Sequence, residues 1–405
     1  MTKTATVHGL LSTDRFVARV DAPAEALASA AAGLPAGEAL LEAVAVRLVR
    51  SGWRLERGEP EAPPNRTALR SRLRAWGRSS VEVWRADASL LPGLRLGGWL
   101  SGSPALRTRR GVRAAADPFW RGVRAEATRQ EWRRLTRGYA ALLYHRLAGA
   151  GEPGQERVDV PPRVFGRQLR ALRCLGFVPL AADDAIAFHR RDGQVPARAV
   201  LLTVDDGFRD CVVPLGEAAR AQPLLFVPTG AVGTNAGWLD GVEVASWDEL
   251  ESLETAGIRV GSHGRTHARL PTLDDETLAA EVDGSKADLG ERLGAPSAIF
   301  SYPYGAVDDR VRNAVEEYGY LLAYTTEPGL NGAGTDPYLL RRVSVKAWDS
   351  GPAVVWKALT GEPLPPTWER WLLIRRAVRR RLLPLARLGP GVARRPSGQR
   401  PPPGT

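Results

Sequence analysis

The chain has 405 residues, 44% of them hydrophobic and 25% charged, with a formal net charge of +11 at pH 7 and only two cysteines. That length allows two or three domains, and Cys174 and Cys211 as isolated thiols exclude a disulfide framework. No apolar run approaches the roughly 18 residues that a membrane-spanning helix needs.

Charge divides the chain. Residues 1–137 carry 24 Lys/Arg against 13 Asp/Glu, residues 138–367 carry 22 against 31, and residues 368–405 carry ten Arg against Glu369 alone. The basicity therefore belongs to the flanks and the acidity to the centre. Met1 to Leu11 holds no apolar core long enough for a secretory leader. With the free thiols, this predicts a cytoplasmic protein, peripheral at the inner membrane face if it meets a membrane at all.

Along residues 1–115 the sequence predicts a mostly helical accessory region of no assignable motif. It holds an Ala-rich helical stretch from Ala24 to Val49, interrupted at Gly33-Leu-Pro35, and an Arg-rich, Pro-containing stretch around 57–80. A lead-in helix is predicted over residues 116–137, with Phe119, Trp120, Val123 and Trp132 as its apolar residues. From 138 to 350 the pattern changes. Short apolar strand candidates recur near 139–143, 199–204, 223–227, 258–261, 297–300 and 321–325, and helical patterns such as Val164 to Leu175 and Asp275 to Leu293 separate most of them. Such alternation predicts an α/β fold with a parallel sheet or barrel. Residues 351–388 read as a basic amphipathic helical segment, and 389–405 as a disordered Pro/Gly/Arg-rich tail. The mixture of Trp, aliphatic residues and Arg from Trp368 to Leu383 suits an anionic membrane surface, or equally a helix docked on the acidic domain. Nucleic-acid binding is the weakest of the three readings.

Several strand ends carry polar residues with chemical potential. His145 follows the apolar Ala141-Leu-Leu-Tyr144. Asp205 and Asp206 follow Ala199 to Val204 and precede Gly207; they read either as a turn or as two carboxylates at the strand end where open α/β sheets and barrels place their chemistry. His263 and His267 follow Ile258 to Ser262, and the i, i+4 spacing lets both imidazoles grip one metal. Two histidines and a carboxylate form a usual catalytic-metal shell, leaving the other carboxylate free to act as a base. Ser301-Tyr-Pro-Tyr-Gly305 follows another strand end as an irregular loop. His8 and His189 read as solvated or packed residues, His189 beside Arg190 and Arg191 as a solvated helix end.

Taken together, Thr203 to Gly207, His263 to His267 and Ser301 to Gly305 resemble, in order and interval, the three motifs of the polysaccharide deacetylase family (the NodB-homology, carbohydrate esterase family 4 group). The resemblance covers roughly 138–345. It implies a distorted (β/α) barrel of about seven strands and metal-assisted hydrolysis of an N-acetyl group on a sugar, releasing acetate. Asp206, His263 and His267 would hold a divalent metal, with zinc favoured by the N/O ligand set. Asp205 would be the base, and the Tyr304 backbone N–H would hold the oxyanion. Many members carry a general-acid histidine late in the domain, yet none follows His267 here. His145 is the candidate, an arrangement similar to the permuted branch that includes poly-N-acetylglucosamine deacetylases.

The sequence departs from the family pattern at three positions. Val204 replaces Phe, a packing change. Gly264 stands where Ser or Thr supplies a hydroxyl, a role that Thr266 could take. Ser301 stands where an Arg pairs with the base carboxylate, so Asp205 should either rise in pKa or be oriented by another group. No counterpart of the family's Asp-x-x-Asp-Trp motif is present, since Trp348-Asp349 runs in the wrong order. The missing Arg and the basic flanks motivate one alternative, a non-catalytic carbohydrate-binding or scaffolding relative that keeps the barrel; a hydrolase of a non-sugar amide on the same scaffold is another.

Overall fold

The computed structural model describes residues 4–11, 14–21, 24–36, 39–51, 55–58, 66–99, 117–149, 159–191, 193–294 and 297–368. The N-terminal region contains helices Ala24–Ala31, Leu40–Arg50 and Arg66–Ala86, the first two separated at the predicted Gly-Leu-Pro interruption. It also contains a sheet that the helical reading did not include. Strands β1 (Thr4–Leu11), β2 (Asp14–Asp21) and β3 (Leu55–Gly58) pair antiparallel in the order β1-β2-β3. Only Ser12 and Thr13 separate β1 from β2. That connection has neither Gly nor Asn, so the usual signal for a two-residue hairpin is missing.

The predicted lead-in helix is two helices, Pro118–Glu126 and Arg129–Thr136. The break has a local cause. Thr128 accepts a hydrogen bond from the Glu131 N–H and Glu131 returns one from the Thr128 N–H, a capping box that starts a new helix. The N-terminal core gathers Trp76, Val81, Leu90, Phe119 and Val123, with the Phe119 ring edge-on to Trp76 at 5.1 Å.

The central sheet comprises β4 (Gly138–Tyr144), β5 (Val178–Pro179), β6 (Ala199–Val204), β7 (Leu224–Val227), β8 (Arg259–Ser262), β9 (Ile299–Ser301), β10 (Leu322–Tyr324), β11 (Leu330–Gly332) and β12 (Val343–Ser344). Its main path runs β10-β9-β8-β7-β6-β4-β11, with β12 also on β4 and β5 also on β6; β11 alone is antiparallel. All of β6 and β7 is buried, which is why these strands read as unbroken apolar runs rather than alternating ones. Helices Pro162–Cys174, Ala182–Arg190, Trp247–Thr255, Asp275–Leu293 and Asp309–Glu317 alternate with the strands. Residues 337–345 join the two ends of the curl. Leu340 exchanges backbone hydrogen bonds with Ala323 and Thr325 beside β10, while β12 pairs with β4 and the Val345 N–H donates to the Leu143 carbonyl. The architecture is the distorted barrel that the sequence predicted.

Two further expectations change. His189 is not a solvated helix end: its ring lies edge-on to Tyr139 and Phe188, with Nε2 3.3 Å from the Tyr139 hydroxyl. Helix Gly351–Thr360, read as the start of the basic segment, is instead apolar. It buries Ala353, Val354, Val355 and Ala358, and Lys357 inserts between the Ser344 carbonyl and the Asp349 carboxylate. The Arg cluster and tail of 369–405 lie outside the described residues.

Candidate active site

The chemistry-bearing residues gather at the C-terminal ends of the parallel strands. Tyr144 pairs with Val204, so His145 and Asp205 are the next residues of neighbouring strands, and the Asp205 N–H donates to the Tyr144 carbonyl at 3.0 Å. The chain then turns sharply. Asp206 adopts φ 73° and Gly207 φ 64°. A side chain at 207 would also meet Val227 at 2.9 Å, so glycine is required there on two grounds. The turn sends the two carboxylates in different directions, as adjacent residues leaving a strand must go.

His263 follows β8 directly. Its Nδ1 donates to the Ser301 carbonyl at 2.7 Å, which turns Nε2 toward Asp206 Oδ1 at 3.6 Å. His267, at φ 61°, brings Nε2 to 3.1 Å from the same oxygen. One ligand atom from each of Asp206, His263 and His267 lies within 4.8 Å of the others, and this is the only such cluster among the described residues. The donor set of two imidazole nitrogens and a carboxylate oxygen fits zinc. Asp206, His267 and Tyr304 (φ 59°) all hold left-handed backbone, a costly conformation for non-glycine residues that concentrates at functional sites. Trp238 stacks on the His267 ring at 4.2 Å, and the half-exposed Tyr304 ring lies tilted against the same imidazole at 4.6 Å.

Burial would raise the pKa of Asp206, but the imidazoles of His263 and His267 beside its carboxylate hold it well below the usual carboxylate range. Burial likewise opposes ionisation of Asp205, and the charges of Arg342 and His263 overcome it, holding Asp205 ionised. His145 contributes to both shifts, so its ring stands within the field of the two carboxylates. Burial also keeps His267 below its ordinary value, in the neutral form that binds metal.

Arg342 is the residue that sequence reasoning missed. Fully buried in the closing segment, it donates from Nη1 to Asp205 Oδ1 at 2.6 Å and from Nη2 to Oδ2 at 2.7 Å. A further bond from Nη2 reaches the Ser301 hydroxyl at 2.8 Å, and that hydroxyl lies 3.2 Å from Asp205 Oδ2. Of the two expected consequences of Ser301, a rise in the pKa of Asp205 does not occur, because another group orients and charges it. The signal was present as a charged pair, Arg341-Arg342, inside the apolar stretch Leu339 to Val345.

Gly264 also has an explanation. At φ 73° its missing Cβ would fall 2.9 Å from the Glu281 carboxylate. That carboxylate accepts the Arg265 and Thr266 N–H groups and the Thr266 hydroxyl, at 2.5–3.2 Å. Thr266 thus steadies the histidine loop through Glu281, in place of a hydroxyl at 264.

Residues 192–323 match the family model described as polysaccharide deacetylase; β4 with His145 and the segment with Arg342 lie outside that match. YxkH of Bacillus subtilis (strain 168), a polysaccharide deacetylase by name, is 25% identical over 215 residues, covering 52% of this chain and 73% of its own. The poly-beta-1,6-N-acetyl-D-glucosamine N-deacetylase of Escherichia coli (strain K12) is 22% identical over 236 residues, covering 48% of this chain but only 35% of that protein. Among solved structures, IcaB from Ammonifex degensii is 26% identical with a TM-score of 0.47, covering 54% of this chain and 96% of that one.

Proposed function

From a chain that belongs to the polysaccharide deacetylase family through residues 192–323, we infer a metal-dependent hydrolase that removes N-acetyl groups from a glycan and releases acetate. The observation that carries this reading is the convergence of Asp206, His263 and His267 within 4.8 Å, beside an ionised Asp205 that stays off the cluster on Arg342. Asp206, His263 and His267 would hold zinc, which when bound acidifies a water and polarises the acetamide carbonyl.

The chain's own residues supply the remaining steps. Asp205 takes a proton from the attacking water, and the fork of Arg342 fixes which carboxylate lone pairs face the site. The backbone N–H of Tyr304 donates to the developing oxyanion. His145 gives a proton to the departing amine, which an amide needs because an unprotonated amine leaves poorly. The aromatic walls Trp238 and Tyr304 offer flat apolar faces beside His267 for a sugar ring. The named activity of the E. coli relative points to β-1,6-linked N-acetylglucosamine as the first substrate class to try. The non-catalytic reading rests on the missing family Arg and the basic flanks, and Arg342 supplies a cation to Asp205.

The test is acetate release from N-acetylglucosamine oligomers by zinc-loaded protein. Asp205→Asn should lower release by about 10²–10⁴-fold while bound zinc, measured by elemental analysis, stays at the wild-type ratio. Absence of release from every N-acetylated sugar tried, with zinc bound, would overturn the reading in favour of a binding module.

A further inference from the structure

The outer side of the barrel carries a feature that the deacetylase reading does not use. Helix Pro162–Cys174 places Arg163, Arg167, Arg170 and Arg173 at successive i+3 and i+4 positions, all exposed, with no acidic residue in the helix. None of the four forms an ion pair among the described residues; Arg167 only reaches back to the carbonyl of Arg163. Beside this stripe, toward helix Val212–Glu217, runs an apolar groove of about 380 Å³. Phe165, Leu169, Phe177, Val200 and Pro214 form its walls, Arg170, Arg173 and Arg220 stand at its rim, and Glu217 is the one acidic residue lining it. Three large apolar side chains flank the groove in the open: Leu175 is 49% exposed, Val178 42% and Val213 70%.

Unpaired arginines beside exposed aliphatic side chains and an apolar groove are complementary to a surface that is anionic outside and hydrocarbon beneath. We propose that this face docks the barrel on an anionic phospholipid bilayer, with lipid phosphates on Arg167, Arg170 and Arg173, and Leu175, Val178 and Val213 reaching the acyl boundary. The contact is peripheral, since no helix among the described residues is long and apolar enough to cross a membrane. It belongs to the folded domain and is independent of the arginines beyond residue 368 and of the catalytic reading. Val178 pairs with Ala199 at the start of β6. Val213 lies two residues after Cys211, whose Sγ donates to the His145 carbonyl beyond the end of β4. The docking face therefore runs along the side of the barrel from one end of the strands to the other.

The chain carries its own reporter. Cys174 is exposed on this face and Cys211 is buried, so a thiol-reactive, polarity-sensitive fluorophore marks residue 174 in the full-length protein. Addition of vesicles containing about one-third phosphatidylglycerol should blue-shift its emission and protect unlabelled Cys174 from a water-soluble maleimide, whereas pure phosphatidylcholine vesicles should do neither. The triple variant Arg167→Gln, Arg170→Gln, Arg173→Gln should lower the vesicle partition coefficient by on the order of 100-fold, at about fivefold per arginine removed. Val178→Asp with Val213→Asp should abolish the blue shift while leaving circular dichroism unchanged. Vesicle binding without any change at Cys174 would overturn the proposal by assigning the contact to the arginines beyond 368. The same response to a soluble anionic polymer such as dextran sulfate would overturn it in favour of an acidic polymer partner.

Discussion

Arg342 and Asp205 form a buried two-pronged pair, at 2.6 Å and 2.7 Å, that joins the end of β6 to the segment closing the barrel. Both partners are nearly inaccessible to solvent. A buried ion pair adds little stability over an apolar pair of the same shape, but removing one partner strands the other charge. The pair therefore ties barrel closure to the ionisation and aim of the carboxylate proposed as the base.

Arg342→Ala should cost about 3–5 kcal/mol of stability, the usual penalty for stranding a buried charge, and should lower acetate release by about 10²-fold or more. Adding Ser301→Arg should recover part of both losses, since the Ser301 hydroxyl already lies 2.8 Å from the Arg342 guanidinium. Denaturant titration and acetate release on the single and double variants check this. Equal defects in both would show that the cation must come from the closing segment.

Which parts of this arrangement were legible in sequence follows from range. β6, the i, i+4 histidines and the Asp275–Leu293 helix are local patterns, and each lies where the sequence placed it. Arg342 lies 137 residues from Asp205, and its neighbours show only that a charged residue interrupts an apolar run. The reason for Gly264 was equally hidden, because Glu281 reaches the histidine loop from the middle of a separate helix. The N-terminal sheet escaped because its turn lacks the residues that announce a hairpin.

His145 and Asp205 leave adjacent strands in register, which puts the proposed acid beside the proposed base. His145→Ala should lower acetate release from N-acetylated oligomers by about 10²–10³-fold. Hydrolysis of an aryl acetate, whose phenolate departs without a proton, should change only a few-fold. Parallel loss on both substrates would remove the general-acid role and leave His145 a structural residue.

Gly264→Ser restores the residue usual in the family and should nevertheless do harm here. The left-handed backbone and the Glu281 carboxylate 2.9 Å from the new Cβ oppose it, at a cost of about 1–3 kcal/mol. Zinc affinity should fall with it, because the same carboxylate braces Arg265 and Thr266 between the two histidines. Thermal unfolding and competitive zinc titration provide the measurements, and an unchanged variant would show that the loop is braced elsewhere.

His189 gives the clearest pH signature away from the cluster of Asp206, His263 and His267. Burial, aided by the charge of Arg134, pushes its imidazole down to about 3, against the ordinary value near 6.5. The native state therefore resists a proton that the unfolded chain accepts. Above pH 6.5 neither state is protonated and the contribution is complete; as pH falls from 6.5 toward 3 it is lost, at no more than about 1.4 kcal/mol per pH unit. His189→Gln should be less stable than wild type at pH 7.5, because it gives up the edge-on contacts with Tyr139 and Phe188. It should also lose less stability than wild type between pH 7 and pH 5, narrowing the gap by at most about 2 kcal/mol. Denaturant titrations at both pH values test the sign: a gap that widens on acidification would mean that His189 is protonated in the native protein and that its aromatic neighbours do not exclude the charge.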